Sequence, residues 1–140
     1  MNTTATPPKT RAAKTPAPAA QELAPSPPGE GWNSAELANI RLAEAEAVIR
    51  AAAEDGPSAI LGSALWAAAR VTDLARDCIP LSKPVDWSAL SAAGALLSQA
   101  QAVVELVVKD NEVLLADAGL TLLAAAQEHI SAAEGEVRRA

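Results

Sequence analysis

Apolar residues recur at helical spacing from residue 33 to the end of the chain, and two proline-bearing breaks interrupt them. Leucine, valine and alanine three or four residues apart are typical of amphipathic helices. The breaks and helix-start residues predict four helices, at about 34–54, 58–78, 87–108 and 113–138. The pattern therefore predicts an all-α fold, an antiparallel four-helix bundle made of two helical hairpins, over residues 32–140.

The predicted helix starts carry capping residues. Asn33 is a typical N-cap with Glu36 three residues later, and Trp32 and Leu37 stand at the positions of a hydrophobic staple. Asp86 is the predicted N-cap of the third helix, after a loop with two prolines at 79–85. These residues set the start of the bundle at Trp32.

The boundary between the third and fourth helices carries the least information, because residues 109–112 contain neither glycine nor proline. Asp110 or Asn111 would cap a new helix there. The alternative is one bent helix over 87–138, which is unusually long for a compact domain. We therefore favour a break and an antiparallel return.

Each predicted helix has an expected core stripe. The stripe of the first helix is Leu37, Ile40, Ala47, Val48 and Ala51. The stripe of the second helix is Ile60, Leu61, Ala64, Leu65, Ala68, Val71, Ala75 and Cys78. The third has Trp87, Leu90, Gly94, Leu97, Gln101, Val104, Val108 beside Leu96, Val103, Val107. The fourth has Leu115, Ala118, Leu122, Ala125, Ala126, His129 beside Leu123, Ile130, Val137. A third helix that is apolar on nearly two faces should be central or covered by a second subunit.

Residues 1–31 differ from the rest of the chain, since they mix Pro, Ala, Thr and Lys with few large apolar residues. Such a composition predicts a disordered tail. The charged residues of this segment sum to +1. Because the net charge of the whole chain is −6, residues 32–140 carry a net charge of −7. The tail resembles the Lys/Ala/Pro tails of some bacterial DNA-associated proteins, but the acidic domain excludes nucleic-acid binding through the bundle.

About a quarter of the chain is alanine, and its aromatic residues are three tryptophans. Because alanine buries little apolar area, we expect a thin core. This composition favours a bacterial origin. The lone Cys78 is expected to be a small core residue in a reducing environment, and no targeting segment is visible, so we expect a cytoplasmic protein. Polar residues interrupt the apolar window at 89–108, and we expect no transmembrane segment.

Chemistry-bearing residues are scarce. His129 is the only histidine and Cys78 the only cysteine, and no glycine-rich phosphate loop is present. Metal ligation, nucleophilic catalysis and phosphate binding each need a constellation that this chain lacks. The sequence predicts no catalytic residue, no metal ligand and no cofactor, and a structural, partly buried role for His129. The helix-one charges Arg41, Glu44, Glu46 and Arg50 are expected to form solvated ion pairs.

One candidate contact surface stands out on the second helix. Trp66, Arg70, Asp73 and Asp77 follow one another at steps of four, three and four, which puts an indole and both charge signs on one outer face. Tryptophan and arginine are enriched at binding hot spots. A tryptophan covered by an arginine on the surface of a monomer is an equally good interpretation.

These observations favour a non-catalytic interaction protein, an adaptor, accessory or regulatory subunit with a protein partner or a second copy of itself. A first alternative is an amphipathic protein that coats a membrane or hydrophobic granule, because the chain resembles phasins in its alanine-rich, aromatic-poor helical composition. A second alternative is an enzyme with an unconventional site that uses His129.

Overall fold

The computed structural model describes residues 32–56, 58–81, 84–109 and 111–139. These residues form four helices and no strand: α1 at Ser34–Glu54, α2 at Ala59–Asp77, α3 at Trp87–Lys109 and α4 at Leu114–Arg139. The predicted all-α fold is confirmed. The prediction of a disordered tail at 1–31 lies outside the described residues.

The helices form an antiparallel four-helix bundle in which α1 and α3 lie diagonally opposite each other. α1 contacts α2 and α4, and α3 contacts the same two helices. At the start of α1, the Ser34 hydroxyl donates to Glu136 near the end of α4 over 2.6 Å. Ile49 near the end of α1 meets Gly119 near the start of α4. The two helices therefore run in opposite directions, as the two-hairpin prediction requires.

The predicted starts of α1 and α3 are confirmed by their capping hydrogen bonds. The Glu36 amide donates to Asn33 Oδ1 over 2.8 Å, and the Asn33 amide donates to Glu36 Oε1 over 2.9 Å, which completes a capping box. At the start of α3, the Ala89 amide donates to Asp86 Oδ1 over 2.8 Å. Each cap satisfies a backbone donor that the first turn of a helix leaves unpaired.

The break between α3 and α4 is also confirmed, so the single long helix over 87–138 is wrong. The predicted capping role of Asn111 is wrong as well. Its side-chain amide donates to the Val107 carbonyl over 2.9 Å, at the end of α3. The residue thus satisfies a carbonyl that the last turn of α3 leaves unpaired, instead of starting α4. The other predicted cap, Asp110, lies outside the described residues.

The core is built mainly from small residues, because alanine accounts for more than half of the buried apolar positions. Small side chains let the helices approach closely. The largest side chains that are fully buried come from all four helices and from the α2–α3 connection, and they are Leu42, Ile49, Leu65, Ile79, Leu90, Leu97, Leu123, Ile130, Val104 and Thr72. Buried Thr72 donates its hydroxyl to the Ala68 carbonyl over 2.8 Å.

The predicted core stripes were partly wrong, by about one residue on α1 and α4. On α1 the buried positions include Ala38, Leu42, Ala45, Ile49 and Ala52, whereas Ala47 is exposed. On α4 the accompanying stripe, with Leu123 and Ile130, is the core, whereas Leu115 and Ala118 are exposed. Alanine or glycine occupies the positions where two helices approach most closely. The larger apolar residues, on which the predicted stripes were based, lie beside these positions and not at the centre of the contact.

Three more predicted core residues differ for reasons of position. Ile60 is 81% exposed and Trp87 is 45% exposed, and each lies in the first turn of its helix, where the neighbouring helices no longer cover it. Cys78, expected in the core, is partly buried and packs against the core at the end of α2. The helix ends thus carry apolar side chains that the bundle itself does not bury.

Of the two expectations for α3, a central position or cover by a second subunit, the first is wrong. α3 is an outer member of a ring of four, with two helix neighbours like the other three. Its buried residues form one stripe, and Leu106 on the opposite face is 70% exposed. Of the second predicted stripe, Val107 is buried, and Leu96 and Val103 are partly buried against the core.

Candidate functional site

The predicted contact surface lies beside a row of charged side chains that connects α1 to α2. We call this row, together with the indole it holds, the α1–α2 polar surface. Its members are Glu46 and Arg50 of α1 and Trp66, Asp73 and Arg76 of α2. All five side chains lie along the groove between two antiparallel helices, which brings residues distant in sequence together.

Glu46 is the centre of this surface. Its carboxylate contacts the Arg50 guanidinium within α1, and its Oε1 lies 3.4 Å from Arg76 Nη1 of α2. The same Arg76 Nη1 lies 3.6 Å from Asp73 Oδ1. The Glu46 side chain is only 12% exposed, whereas those of Arg76 and Asp73 are 34% and 35% exposed. A carboxylate this far removed from water needs its two cationic neighbours.

Arg50 links the charged row to the indole. Its guanidinium carbon lies 5.5 Å from the ring centroid of Trp66, which is within the range of a cation–π contact. Trp66 remains 43% exposed beneath it. The indole is therefore held in position from one side and accessible from the other.

The structure divides the four predicted site residues into two pairs. Trp66 and Asp73 belong to the α1–α2 polar surface. Arg70 and Asp77 are exposed on the same helix, and within the described residues neither makes a hydrogen bond or an ion pair. The arginine that covers Trp66 comes from α1 and is Arg50, so the Arg70 guanidinium beside it stays available.

Sequence reasoning missed Glu46, Arg50 and Arg76 as members of this surface. It expected solvated pairs on α1, and the pairs Arg41–Glu44 and Arg50–Glu46 are present. The partial burial of Glu46 depends on how α1 and α2 pack, which spacing within one helix does not reveal. The four-residue step from Glu46 to Arg50 was the one visible indication.

A cleft of about 350 Å³ opens at the end of α2, next to this surface. Its lining residues are Asn39, Arg76, Asp77, Pro80 and Leu81. The Asn39 side-chain amide is occupied, because it donates to the Ile79 carbonyl over 2.5 Å. Arg76 Nε is buried and has no acceptor among the described residues. The cleft thus has one cationic wall and one anionic residue, Asp77, at its rim.

A smaller cavity, of about 180 Å³, lies where the start of α1, the α2–α3 connection and the end of α4 meet. Polar and apolar atoms line it about equally, with Leu90 and Val137 among the apolar residues and Glu36 and Glu136 as its carboxylates. Glu36 holds the capping box, and Glu136 accepts from Ser34. Both carboxylates therefore have structural partners.

The residues considered for chemistry do not meet in a common site. His129 is partly buried on α4, and Cys78 is partly buried at the end of α2, where its thiol donates to the Leu74 carbonyl over 3.5 Å. Neither residue lines the three cavities that we find among the described residues. The described residues also contain no group of three metal-ligating side chains.

α3 is distinguished by its hydropathy. It is long and apolar enough to cross a membrane by length and composition, with a mean hydropathy of 1.4, and 28% of that window is buried in the bundle. The core helix of a soluble protein passes the same test of length and composition, so these two properties do not assign α3 to a membrane. No family model, curated protein or solved structure matches this chain.

Proposed function

We propose that this protein is a non-catalytic interaction protein that presents the outer face of α2 to a protein partner. The observation that carries the proposal is the half-exposed indole of Trp66, held in place by Arg50. Arg70 and Asp77 follow it on the same face of α2 and leave both charge signs available to a partner.

The physical argument is preorganisation. Ordering a free side chain at an interface costs about 0.5–1.5 kcal/mol, and a side chain already held in place loses less. Trp66 stacks on Arg50, and Arg50 is in turn held by Glu46. An indole in this arrangement offers a large apolar area at a low ordering cost.

A capture experiment with the full chain tests this proposal, with the wild type and two matched variants as baits in host lysate. Trp66→Ala should lose a captured protein that the wild type retains, because truncating a hot spot costs about 2 kcal/mol or more, or roughly thirtyfold in affinity. Trp87→Ala is the matched control, since Trp87 is 45% exposed on another helix. Equal capture by both variants and the wild type would exclude Trp66 as the anchor.

A second candidate function follows from α3. An amphipathic protein that coats an apolar surface would use a charge-free helix face, and residues 87–104 contain no charged residue. The net charge of −6 disfavours anionic lipid, so the appropriate probe is a neutral phosphatidylcholine vesicle. Cosedimentation of the wild type with such vesicles would support this function, and the absence of binding to both vesicles and hydrophobic polymer particles would exclude it.

A further inference from the structure

Large apolar side chains are exposed at one end of the bundle, where α1 and α3 finish and α2 and α4 begin. The three most exposed large apolar residues of the described chain all lie there, Leu114 at 84%, Ile60 at 81% and Leu106 at 70%. The next in order, Leu81, lies at the other end and is 53% exposed. This end therefore carries apolar surface that the fold leaves in water, which is typical of a contact site.

A groove of about 480 Å³ lies at this end, between the last turn of α3 and the first turn of α4. Its lining residues are Val108, Asn111, Glu112, Val113, Leu114 and Asp117. Val108 and Val113 are partly buried and pack against the core of the bundle. Asn111 fixes the turn, because its side-chain amide donates to the Val107 carbonyl. The groove is thus held in shape before a partner binds, which lowers the cost of binding.

The surroundings of the groove are acidic. The charged residues that the structure describes at this end are one lysine and five carboxylates: Lys109, Glu54, Asp55, Glu105, Glu112 and Asp117. All six are exposed, and none forms an ion pair among the described residues. Arg50, one turn before Glu54, is held by Glu46. A pair between Lys109 and Glu105, one turn apart on α3, would still leave four carboxylates without a cation.

These charges identify the kind of partner. Carboxylates repel anionic surfaces such as nucleic acid and acidic lipid, and they also repel a second copy of the chain, which carries −6. A cationic partner gains favourable contacts with the same carboxylates. The apolar residues of the groove require apolar side chains beside the cationic ones. An amphipathic helix with Lys or Arg next to its apolar stripe meets both requirements, and such helices commonly bind in apolar grooves.

We propose that the groove at the α3–α4 turn binds a basic amphipathic helix of a partner protein. The apolar stripe of that helix packs on Val108 and Leu114, and its Lys or Arg side chains contact Glu112 and Asp117. The inference goes beyond the proposed function, because Trp66 lies on α2, whereas the groove is formed by α3 and α4. The chain would then present two separate surfaces to partners.

Fluorescence anisotropy with the full chain and a labelled, designed peptide tests the proposal. The peptide has about 14 residues, or four helical turns, of leucine and lysine with the leucines on one face, and its counterpart carries glutamate in place of lysine. The wild type should bind the lysine peptide and not the glutamate peptide. Raising the salt from about 50 mM to about 500 mM should weaken binding, because salt screens exposed charges. No binding of the lysine peptide, or equal binding of the two peptides, would overturn the proposal.

Matched apolar variants locate the binding site. Leu114→Ser should raise the dissociation constant of the lysine peptide about tenfold or more, because it removes an apolar anchor. Ile60→Ser is the control, since Ile60 is 81% exposed, also lies in the first turn of its helix and is not a lining residue of the groove. Urea unfolding curves that match the wild type confirm that both variants fold. Equal effects of the two variants on binding would contradict the site.

Matched charge variants separate local contacts from the net charge. Glu112→Gln should weaken binding several-fold, because it removes a carboxylate from the wall of the groove. Glu128→Gln removes the same charge from an exposed position further along α4 and should have little effect. Equal losses for the two variants would show that the net charge of the chain attracts the peptide, and would overturn the assignment to the groove.

Two further measurements distinguish this proposal from the alternatives. Trp66→Ala should leave the affinity for the lysine peptide unchanged, so that failure of the Trp66 surface and failure of the groove are distinguishable. A wild type that fails to bind the lysine peptide but dimerises in sedimentation equilibrium, with Leu114→Ser monomeric, would overturn the proposal and assign the groove to a second copy.

Discussion

α1 and α3 have nearly the same length, 21 and 23 residues, and contact the same two helices, yet their outer surfaces differ. α1 carries ion pairs along its length and anchors Trp66 through Arg50. α3 carries no charge before Glu105 and exposes Leu106. The bundle buries one narrow stripe of residues from each helix, so the remaining surface of a helix is free to vary without loss of the fold.

The two helices also differ in how tightly α4 packs against them. A Cβ added to Gly119 of α4 would lie 2.6 Å from Ile49 Cγ1 of α1, whereas a Cβ added to Gly94 of α3 would have Ile130 Cγ2 of α4 as its nearest neighbour, at 3.7 Å. The first distance is a steric overlap and the second is ordinary contact. The α1–α4 seam is therefore closed to a methyl group, and the α3–α4 seam has room for one.

The largest expected effect comes from Gly119→Ala. The added methyl group would force Ile49, which is fully buried, out of its position. Overpacking of this kind costs about 1–3 kcal/mol, which outweighs the gain of up to about 1 kcal/mol from replacing glycine by alanine in a helix. Urea denaturation of the wild type and the variant measures the difference in the free energy of unfolding.

Gly94→Ala is the matched control, because it makes the same substitution in the interior of a helix. With only ordinary contacts to make, this variant should be as stable as the wild type or more stable by up to about 1 kcal/mol. Equal destabilisation by the two substitutions would show that the seams of α1 and α3 do not differ.

The next effect concerns the charged row of α1. Glu46→Ala should cost about 1–2 kcal/mol, because it leaves the partly buried Arg76 without its α1 partner. Glu44→Ala should cost less than about 0.5 kcal/mol, since the Glu44 side chain is 44% exposed and pairs with Arg41 alone. Urea unfolding at low ionic strength checks both values. A loss for Glu44→Ala as large as that for Glu46→Ala would contradict the importance of burial.

The sequence predicted the helices well and the surfaces only in part. Caps such as Asn33 and Asp86 act within one turn, so a single stretch of sequence identifies them. The contact between Arg50 and Trp66 depends on how two helices pack, and so does the partial burial of Glu46. The predicted core stripes of α1 and α4 were displaced by about one residue where alanine and glycine fill the closest approach of two helices. These small residues contribute little to the hydrophobic pattern from which a stripe is predicted.

An effect smaller than that of Glu46→Ala is expected at the caps, which both helices share. Asn33→Ala and Asp86→Ala should each cost about 1 kcal/mol in the free energy of unfolding, whereas Asn33→Asp and Asp86→Asn should cost only a few tenths, because Asn and Asp cap about equally well. Thermal denaturation followed by circular dichroism distinguishes the pairs. Equal losses for Asp86→Asn and Asp86→Ala would show that the side-chain oxygen that accepts from the Ala89 amide does not stabilise the start of α3.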